Sequence, residues 1–384
     1  MGFMGYRRQD GSVGVRNHVA VISSVVCANG VVNAIAHAVP EVKAVTHTEG
    51  CGRGPKDVFV ASRTLIGLGK NPNVAAVLVV GLGCEFIKPE FIVAGLSGTG
   101  KPLETISIQD KGGSVKTARK GIEIAEKLLN HAASIKREPC EWSDLTIGLK
   151  CGGSDSMSGV SANPMAGEAS DWLVTKGGQV ILAETTEMIG TESILAKRAA
   201  DLNVAKRLTE LIQNQWKEAK DVLGPMAHMV ISPGNMEGGL STIQEKSLGC
   251  IAKGGSSQIQ EVIEYGEAPT KKGLIIMDTP GSDVFSMTAL AAGGAQIILF
   301  TTGRGTPAGF PIVPVIKIAS NTKLFEHMAD DMDLNAGCIL EGTSIEDAGK
   351  MLIGYLQKVA EGEKTKSEIN LNDLLAIHTT GPSF

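Results

Sequence analysis

The chain has 384 residues, of which 43% are hydrophobic and 20% are charged, and its formal net charge is −5. This composition excludes a disordered chain, and a small negative charge without a basic run gives no support to nucleic-acid binding. No apolar leader and no run of about 20 apolar residues occurs, so we expect a cytoplasmic protein without a membrane span.

The first third of the chain alternates strand and helix patterns. Such alternation predicts a doubly wound, mainly parallel sheet. Residues 137–140 have the character of a linker, so we predict an N-terminal α/β domain over residues 1–138. The predicted strands are 18–26, 74–80 and 105–109, and the predicted helices are 29–38, 57–69 and 113–131.

The same alternation continues over residues 139–384, which we predict to form a C-terminal α/β domain. Residues 191–221 are charged and strongly helical, and are expected to form one helix or two. The fold class predicted for the whole chain is therefore α/β, with two doubly wound, mainly parallel-sheet units. Strands are predicted at 145–149, 178–183, 273–278, 295–301 and 312–318.

Several predicted strands end in glycine-containing turns that carry a cysteine. Ligands bind outside the carboxyl ends of parallel strands, and thiolates suit borderline metals and iron–sulfur clusters. We therefore predict Cys51, Cys84 and Cys151 as metal ligands, with the buried free thiol as the equally weighted alternative. Cys27 and Cys250 are weaker candidates. The seven cysteines are an odd number in a long chain, which argues against a disulfide framework.

Acids, a histidine and arginines in the same kinds of turn are candidates for chemistry. His47, Glu49 and Glu85 are predicted as bases, although a hydrogen-bonded strand-end histidine is the ordinary alternative for His47. Arginine binds a carboxylate or a sulfonate through bidentate hydrogen bonds, so Arg304 is predicted as catalytic. A solvated surface arginine is the alternative. The residues predicted to bind substrate are Arg16, Arg53, Ser154, Asp155, Asn163, Asn235 and Thr302.

These turns also carry a resemblance to a known family. The chain resembles the altronate and galactarate dehydratases, a family that includes the large subunit of (2R)-sulfolactate sulfo-lyase. The resemblance implies an α/β lyase that depends on divalent iron, with an iron–sulfur cluster as the alternative cofactor. The matching stretches are 5–8 (GYRR), 11–17 (GSVGVRN), 81–85 (GLGCE), 151–155 (CGGSD), 161–165 (SANPM), 232–235 (SPGN), 246–250 (KSLGC) and 302–307 (TGRGTP).

The resemblance also bears on partners and substrate. Altronate dehydratases of this family usually carry a small SAF-type domain ahead of the region present here, so a separate small SAF-domain subunit and an oligomer are expected. Arg53 departs from their pattern and would suit a sulfonate, which favours (2R)-3-sulfolactate, split to pyruvate and sulfite. A dehydratase of altronate or a related sugar acid is the alternative. A non-catalytic binding subunit of a two-component complex is the alternative of another class.

Overall fold

A computed structural model of the chain describes residues 2–384, leaving aside the side chains of residues 228 and 229. Within this range the strands form three sheets, of three, four and seven strands. The four-stranded sheet is wholly parallel, with the order β4-β3-β5-β6. Its strands are β3 (His18–Ser23), β4 (Lys43–Val45), β5 (Val74–Gly81) and β6 (Leu103–Ser107).

The seven-stranded sheet is also parallel throughout and follows the order β10-β11-β9-β8-β12-β13-β14. Its central strands are buried on both faces, as expected for a sheet covered by helices on each side. The strands are β8 (Thr146–Cys151), β9 (Gln179–Leu182), β10 (Ile259–Ile263), β11 (Gly273–Met277), β12 (Ile297–Thr302), β13 (Val315–Ala319) and β14 (Leu334–Asn335).

A third, antiparallel sheet of three strands, in the order β2-β1-β7, joins residues from the start of the chain to the predicted linker. It consists of β1 (Phe3–Arg7), β2 (Val13–Gly14) and β7 (Glu138–Cys140). No helix in the described range is both long and apolar enough to cross a bilayer. The helices are α1 (Asn29–Ala38), α2 (Pro55–Lys70), α3 (Pro89–Leu96), α4 (Ser114–Ser134), α5 (Ala162–Thr175), α6 (Glu192–Ala196), α7 (Leu202–Leu223), α8 (Pro233–Glu237), α9 (Ile243–Ile251), α10 (Asp283–Ala292), α11 (Thr322–His327), α12 (Ile345–Ala360) and α13 (Lys366–Ile369).

Helices α2 and α10 pack against each other between the four-stranded and the seven-stranded sheets, so one apolar core is shared by both halves of the chain. The approach is close, because a Cβ on Gly67 would lie 2.4 Å from the carbonyl oxygen of Ala292. The outer faces of the two parallel sheets are covered separately. Helices α1 and α4 cover the four-stranded sheet, called the small sheet below, and α5, α7 and α12 cover the seven-stranded sheet, called the large sheet below. The loops that follow the carboxyl ends of these parallel strands carry the polar residues.

The predicted fold class is confirmed, since the four-stranded and the seven-stranded sheets are both parallel and flanked by helices. Helix 29–38 has the predicted bounds, and the segment 191–221 contains two helices, α6 and α7. Six strands were not predicted, namely β1, β2, β4, β7, β10 and β14. Of these, β2, β4, β7 and β14 have only two or three residues, too few to show a pattern, whereas β1 and β10 have five residues each. The domain boundary near residue 138 stays a prediction.

Candidate metal centre

Cys151, Glu187 and Cys250 form a compact group of metal-ligating atoms at the carboxyl edge of the large sheet. Their sulfur and carboxylate atoms all lie within 4.8 Å of one another, and all three residues are buried. The two Sγ atoms are 3.3 Å apart, and each thiol donates to Glu187 Oε2, at 3.0 Å from Cys151 and 2.9 Å from Cys250. Two thiols and a carboxylate are a suitable donor set for a borderline divalent cation.

Three separate elements bring this group together. Cys151 is the last residue of β8, and Glu187 lies in the 3₁₀ turn Thr185–Met188 that follows the neighbouring strand β9. Cys250 approaches from α9, near the end of that helix. Because β8 and β9 are adjacent and parallel, their carboxyl ends must open into the same space.

Glu184 holds the backbone of the centre in place. It is a buried non-glycine residue with φ of 72°, a conformation that costs free energy and persists only when surrounding contacts enforce it. Its Oε2 accepts a hydrogen bond from the backbone N–H of Cys151 at 2.8 Å, and its own N–H donates to Thr279 Oγ1 at 2.8 Å. The strained turn therefore fixes both Cys151 and the start of the turn that carries Glu187.

Three buried lysines surround the acids of the centre. Lys246 Nζ lies 2.6 Å from Glu187 Oε1, and Lys253 Nζ lies 3.4 Å from Glu184 Oε2. Lys150 pairs with Glu184 and also lies 3.0 Å from Asp283 Oδ1. Three ammonium groups thus balance the carboxylates of Glu184, Glu187 and Asp283 while both thiols are protonated. Replacing the two thiol protons by one divalent cation leaves this balance unchanged, so the residues fit such an ion.

The same charges shift the acid–base behaviour of the group. Burial would raise the pKa of Glu187, but the ammonium groups of Lys246, Lys150 and Lys253 outweigh it and lower the pKa to about 2. The pKa of Cys250 is raised by its hydrogen bond with Cys151 and by burial. The carboxylate is therefore ready to bind a cation, whereas each thiol must first lose its proton.

A polar cavity of about 310 Å³ lies beside the centre and includes Lys246 and Cys250 in its wall. Its remaining lining combines hydroxyl and amide groups with the carboxylates of Asp155 and Glu245 and with the apolar side chains of Val160, Leu240 and Leu248. Asn235 connects the two features, because its Oδ1 accepts from Lys246 Nζ at 3.1 Å while its Nδ2 donates to the Ser154 carbonyl at 2.9 Å. Ser154, Asp155, Ser156, Ser158 and Asn163 line the cavity.

The predicted substrate-binding residues of this half lie at or near the cavity and already have protein partners. Asp155 Oδ1 accepts from the Ser158 hydroxyl at 2.7 Å, and Asp155 Oδ2 accepts from the Ser320 hydroxyl at 2.9 Å. Asn163 donates to the Gly249 carbonyl at 2.9 Å. Thr302 Oγ1 accepts from the Gly305 N–H at 3.0 Å, which shapes the turn that carries Arg304.

Arg304 lies at the surface near this region. Its backbone N–H donates to the Gly153 carbonyl at 2.8 Å, which places the residue against the turn that follows Cys151. Its guanidinium lies 2.9 Å from Glu237 Oε2, and the side chain is 47% exposed. An exposed ion pair is weak, so this guanidinium can exchange its partner for an anionic ligand at small cost.

The other predicted catalytic residues lie at the carboxyl edge of the four-stranded sheet. His47 Nε2 bonds the Ser23 carbonyl at 2.7 Å, and its Nδ1 accepts from the Glu49 N–H at 3.0 Å. Glu85 accepts from the Ser24 hydroxyl at 2.8 Å, and Glu49 pairs with Arg53 at 2.8 Å. These contacts connect neighbouring loops of the small sheet. Burial lowers the pKa of His47, so the imidazole is neutral at pH 7.

The remaining predictions are distributed as follows. Arg16 is buried and forms a bidentate pair with Glu368, so its guanidinium serves to join the two ends of the chain. Cys51 and Cys84 are exposed residues on the small sheet, and in the described range the compact ligand group contains Cys151 but neither of them.

The sequence identified Cys250 only as a weaker candidate, and neither Glu187 nor the three lysines was assigned to the site. Two signals were available for them. A lysine inside the apolar run 145–151 is unusual enough to indicate a buried charge, and residues 184–187 (ETTE) place two acids directly after a strand.

Comparison with known proteins supports the reading of the motifs. Residues 5–133 match the model of the second domain of D-galactarate dehydratase/altronate hydrolase, and residues 142–383 match the C-terminal model of D-galactarate/altronate dehydratase. The chain is 38% identical to an altronate dehydratase of Bacillus subtilis, over 99% of this chain and 78% of that protein.

Two further relatives carry different names. A galactarate dehydratase (L-threo-forming) of Escherichia coli is 39% identical over 99% of this chain and 77% of its own length. The (2R)-sulfolactate sulfo-lyase subunit beta of Chromohalobacter salexigens is 35% identical over 95% of this chain and 94% of its own length. The resemblance seen in the motifs is thereby confirmed: the chain belongs to the D-galactarate/altronate dehydratase family and is a lyase.

Proposed function

We propose that the chain removes a β-substituent from a small acidic 2-hydroxy acid at the group formed by Cys151, Glu187 and Cys250. The observation that carries this proposal is the contact of a buried, charge-balanced ligand group with a cavity whose wall includes the hydroxyls of Ser154, Ser156 and Ser158. In such a reaction the proton α to the carboxylate is removed, negative charge develops on the carboxylate, and the β-substituent leaves. Positive charge near the carboxylate stabilises that transition state.

We infer that ferrous iron is the bound cation, held by the two thiolates and the Glu187 carboxylate. When bound, such an ion acts as a Lewis acid toward substrate oxygen atoms. Lys246 keeps Glu187 ionised through the 2.6 Å contact, and Asn235 positions Lys246. Arg304 is proposed to leave Glu237 and bind the substrate carboxylate at the edge of the site.

Three side chains are proposed for removal of the α-proton. His47, Glu49 and Glu85 remain the proposed candidates, and they would act on a substrate reaching the edge of the small sheet. From the sequence we also propose Cys51 and Cys84 as metal ligands, and Arg16 and Arg53 as substrate-binding residues. For Arg16 the buried pair with Glu368 supports a role in stability instead. We also propose that the chain divides into domains at residues 138 and 139.

The hydroxyls of Ser154, Ser156 and Ser158 and the amide of Asn163 in the cavity wall favour a hydroxylated sugar acid, such as altronate or galactarate, as the substrate. Hydroxyl and amide groups pair with the hydroxyls of such a chain, whereas a sulfonate favours a guanidinium. The expectation of (2R)-3-sulfolactate depended on the implied separate small subunit and on Arg53, and the guanidinium of Arg53 is already paired with Glu49. Sulfolactate is the second candidate, because the sulfo-lyase subunit matches this chain over 94% of its length.

The test is an anaerobic assay with added ferrous iron, in which altronate, galactarate and (2R)-3-sulfolactate are offered in parallel. Formation of a 2-keto-3-deoxy acid from a sugar acid supports the first candidate, and pyruvate with sulfite supports the second. The assay is repeated with a small SAF-domain subunit, the proposed partner. Cys250→Ala is the inactive control. No elimination from any substrate, with or without the partner, would favour a non-catalytic binding subunit.

A further inference from the structure

Cys27, Cys51 and Cys84 follow three neighbouring strands of the small sheet. Cys27 comes after β3, Cys51 after β4 and Cys84 after β5, and these strands are adjacent in the order β4-β3-β5. Since the strands are parallel, the three loops leave the sheet at the same edge. Ligand sites of open α/β sheets are formed at this edge.

Backbone contacts hold the three loops together next to the cysteines. The carbonyl of Glu49 accepts from the N–H of Val26 at 2.9 Å, and the carbonyl of Gly50 accepts from the N–H of Phe86 at 3.1 Å. Gly50 has φ of 111°, and a Cβ there would lie 2.4 Å from the Ser24 carbonyl oxygen. The loop of Cys51 therefore lies directly between the loops of Cys27 and Cys84, and only glycine permits this approach.

Solvent exposure distinguishes these three cysteines from the other four. Cys27, Cys51 and Cys84 are free and exposed, whereas Cys140, Cys151 and Cys250 are buried and Cys338 is intermediate. The exposed cysteines of the chain are thus confined to one edge of one sheet. The side-chain amide of Gln109 donates to Cys84 Sγ at 3.6 Å, a contact of the kind that tunes metal-bound sulfur.

We propose that Cys27, Cys51 and Cys84 ligate a cubane [4Fe–4S] cluster. In the described range the three thiols do not form a group as compact as Cys151, Glu187 and Cys250, which argues against a single shared ion. A cubane separates its cysteine sulfurs, because each sulfur binds a different iron. The three thiols lose their protons as they bind. Cys27, Cys51 and Cys84 would each hold one iron of the cluster.

The cluster is independent of the ion proposed at Cys151, so it is tested by composition rather than by activity. The purified full chain is reconstituted anaerobically with equal amounts of ferric and ferrous iron and with sodium sulfide, which together balance a [4Fe–4S]²⁺ core. Iron, acid-labile sulfide and the Mössbauer spectrum are then measured. We expect about four sulfides per chain and a cubane spectrum in the unmodified protein.

Single variants Cys27→Ala, Cys51→Ala and Cys84→Ala are expected to lose most of the sulfide. Their thiols are exposed, so the fold should be kept, and circular dichroism checks this. Cys151→Ala and Cys338→Ala are the matched controls and should keep the sulfide. Absence of acid-labile sulfide from the unmodified protein, or its retention in the three variants, would overturn the proposal, whatever the elimination assay shows.

Discussion

The Sγ atoms of Cys151 and Cys250 lie 3.3 Å apart although 99 positions separate the two residues in the chain. Glu187 Oε2 accepts from both thiols and so completes the group. With both thiols protonated, the group is satisfied by these hydrogen bonds, and one divalent cation can replace the two protons without changing the charge balance. A bound cation would satisfy all three at once.

Removing one thiol should therefore abolish tight metal binding. For Cys250→Ala we expect iron affinity to fall by more than the roughly 100-fold that loss of an outer partner costs. The measurement is iron content after anaerobic dialysis against a graded chelator. Cys338→Ala, whose thiol donates to the Asn335 carbonyl at 3.4 Å, is the control and should retain its iron. Equal retention in both variants would remove Cys250 from the centre.

Lys246→Met should destabilise the metal-free protein. The substitution leaves the buried Glu187 carboxylate without its 2.6 Å partner, and breaking a buried pair costs about 3–5 kcal/mol. The pKa of Glu187 should rise from about 2, because the main opposing charge is gone. Denaturant unfolding of the metal-free proteins gives the free energy. Lys350→Met, at an exposed pair with Glu346, is expected to change it little, and a similar small change for Lys246→Met would contradict the prediction.

Lys317→Met should stabilise the protein, most of all at low pH. Lys317 Nζ is buried without a hydrogen-bond partner and lies 3.3 Å from the centre of the Phe300 ring. Burial lowers its pKa from 10.5 in the unfolded chain to about 7. Below pH 7 both states carry the proton and the native state bears the full cost, at most about 5 kcal/mol.

This cost is relieved as the pH rises from 7 to 10.5, because the native lysine is then neutral while the unfolded one is still charged. The gain in stability from Lys317→Met should accordingly be largest below pH 7 and shrink above it. Denaturant unfolding of both proteins at pH 6, 8 and 9.5 measures the difference. A difference that does not change with pH would show that Lys317 does not titrate in this range.

Arg16→Met should lower stability without changing the apparent affinity for substrate. Arg16 Nε and Nη2 each lie 2.8 Å from one oxygen of Glu368, and Nη1 donates to the Val359 carbonyl at 2.8 Å. Loss of this buried pair is expected to cost about 3–5 kcal/mol. Arg7→Met, at a more exposed pair with Glu138, is the control. A raised KM at unchanged stability would instead support the earlier assignment of Arg16 to substrate binding.

Arg304→Ala should reduce kcat/KM by roughly 10- to 100-fold, the value of one charged hydrogen bond to the substrate. Stability should change little, because the pair with Glu237 is exposed. Glu237→Gln is the matched control, which frees the guanidinium and should leave kcat/KM equal or higher. Steady-state kinetics on the substrate identified by the parallel assay decides the matter. Unchanged kinetics in Arg304→Ala would exclude the residue from the site.

Several features were accessible from the sequence because they are local. Apolar runs such as 74–80 and 18–26 predict buried strands, and the helical period over 113–131 predicts α4, since both patterns depend only on near neighbours. The glycine and cysteine turns at strand ends indicated where chemistry would lie. Cys151 was identified in this way, and the motifs were sufficient to establish the family.

The composition of the centre was decided by the tertiary structure. Cys151 joins Glu187 because β8 and β9 are neighbours in the large sheet, and it joins Cys250 because α9 lies over the same edge. Strand order depends on how distant segments bury their apolar faces together, and no local pattern records that choice. The cysteines grouped by sequence were accordingly divided between two sheets, with Cys51 and Cys84 on one and Cys151 on the other.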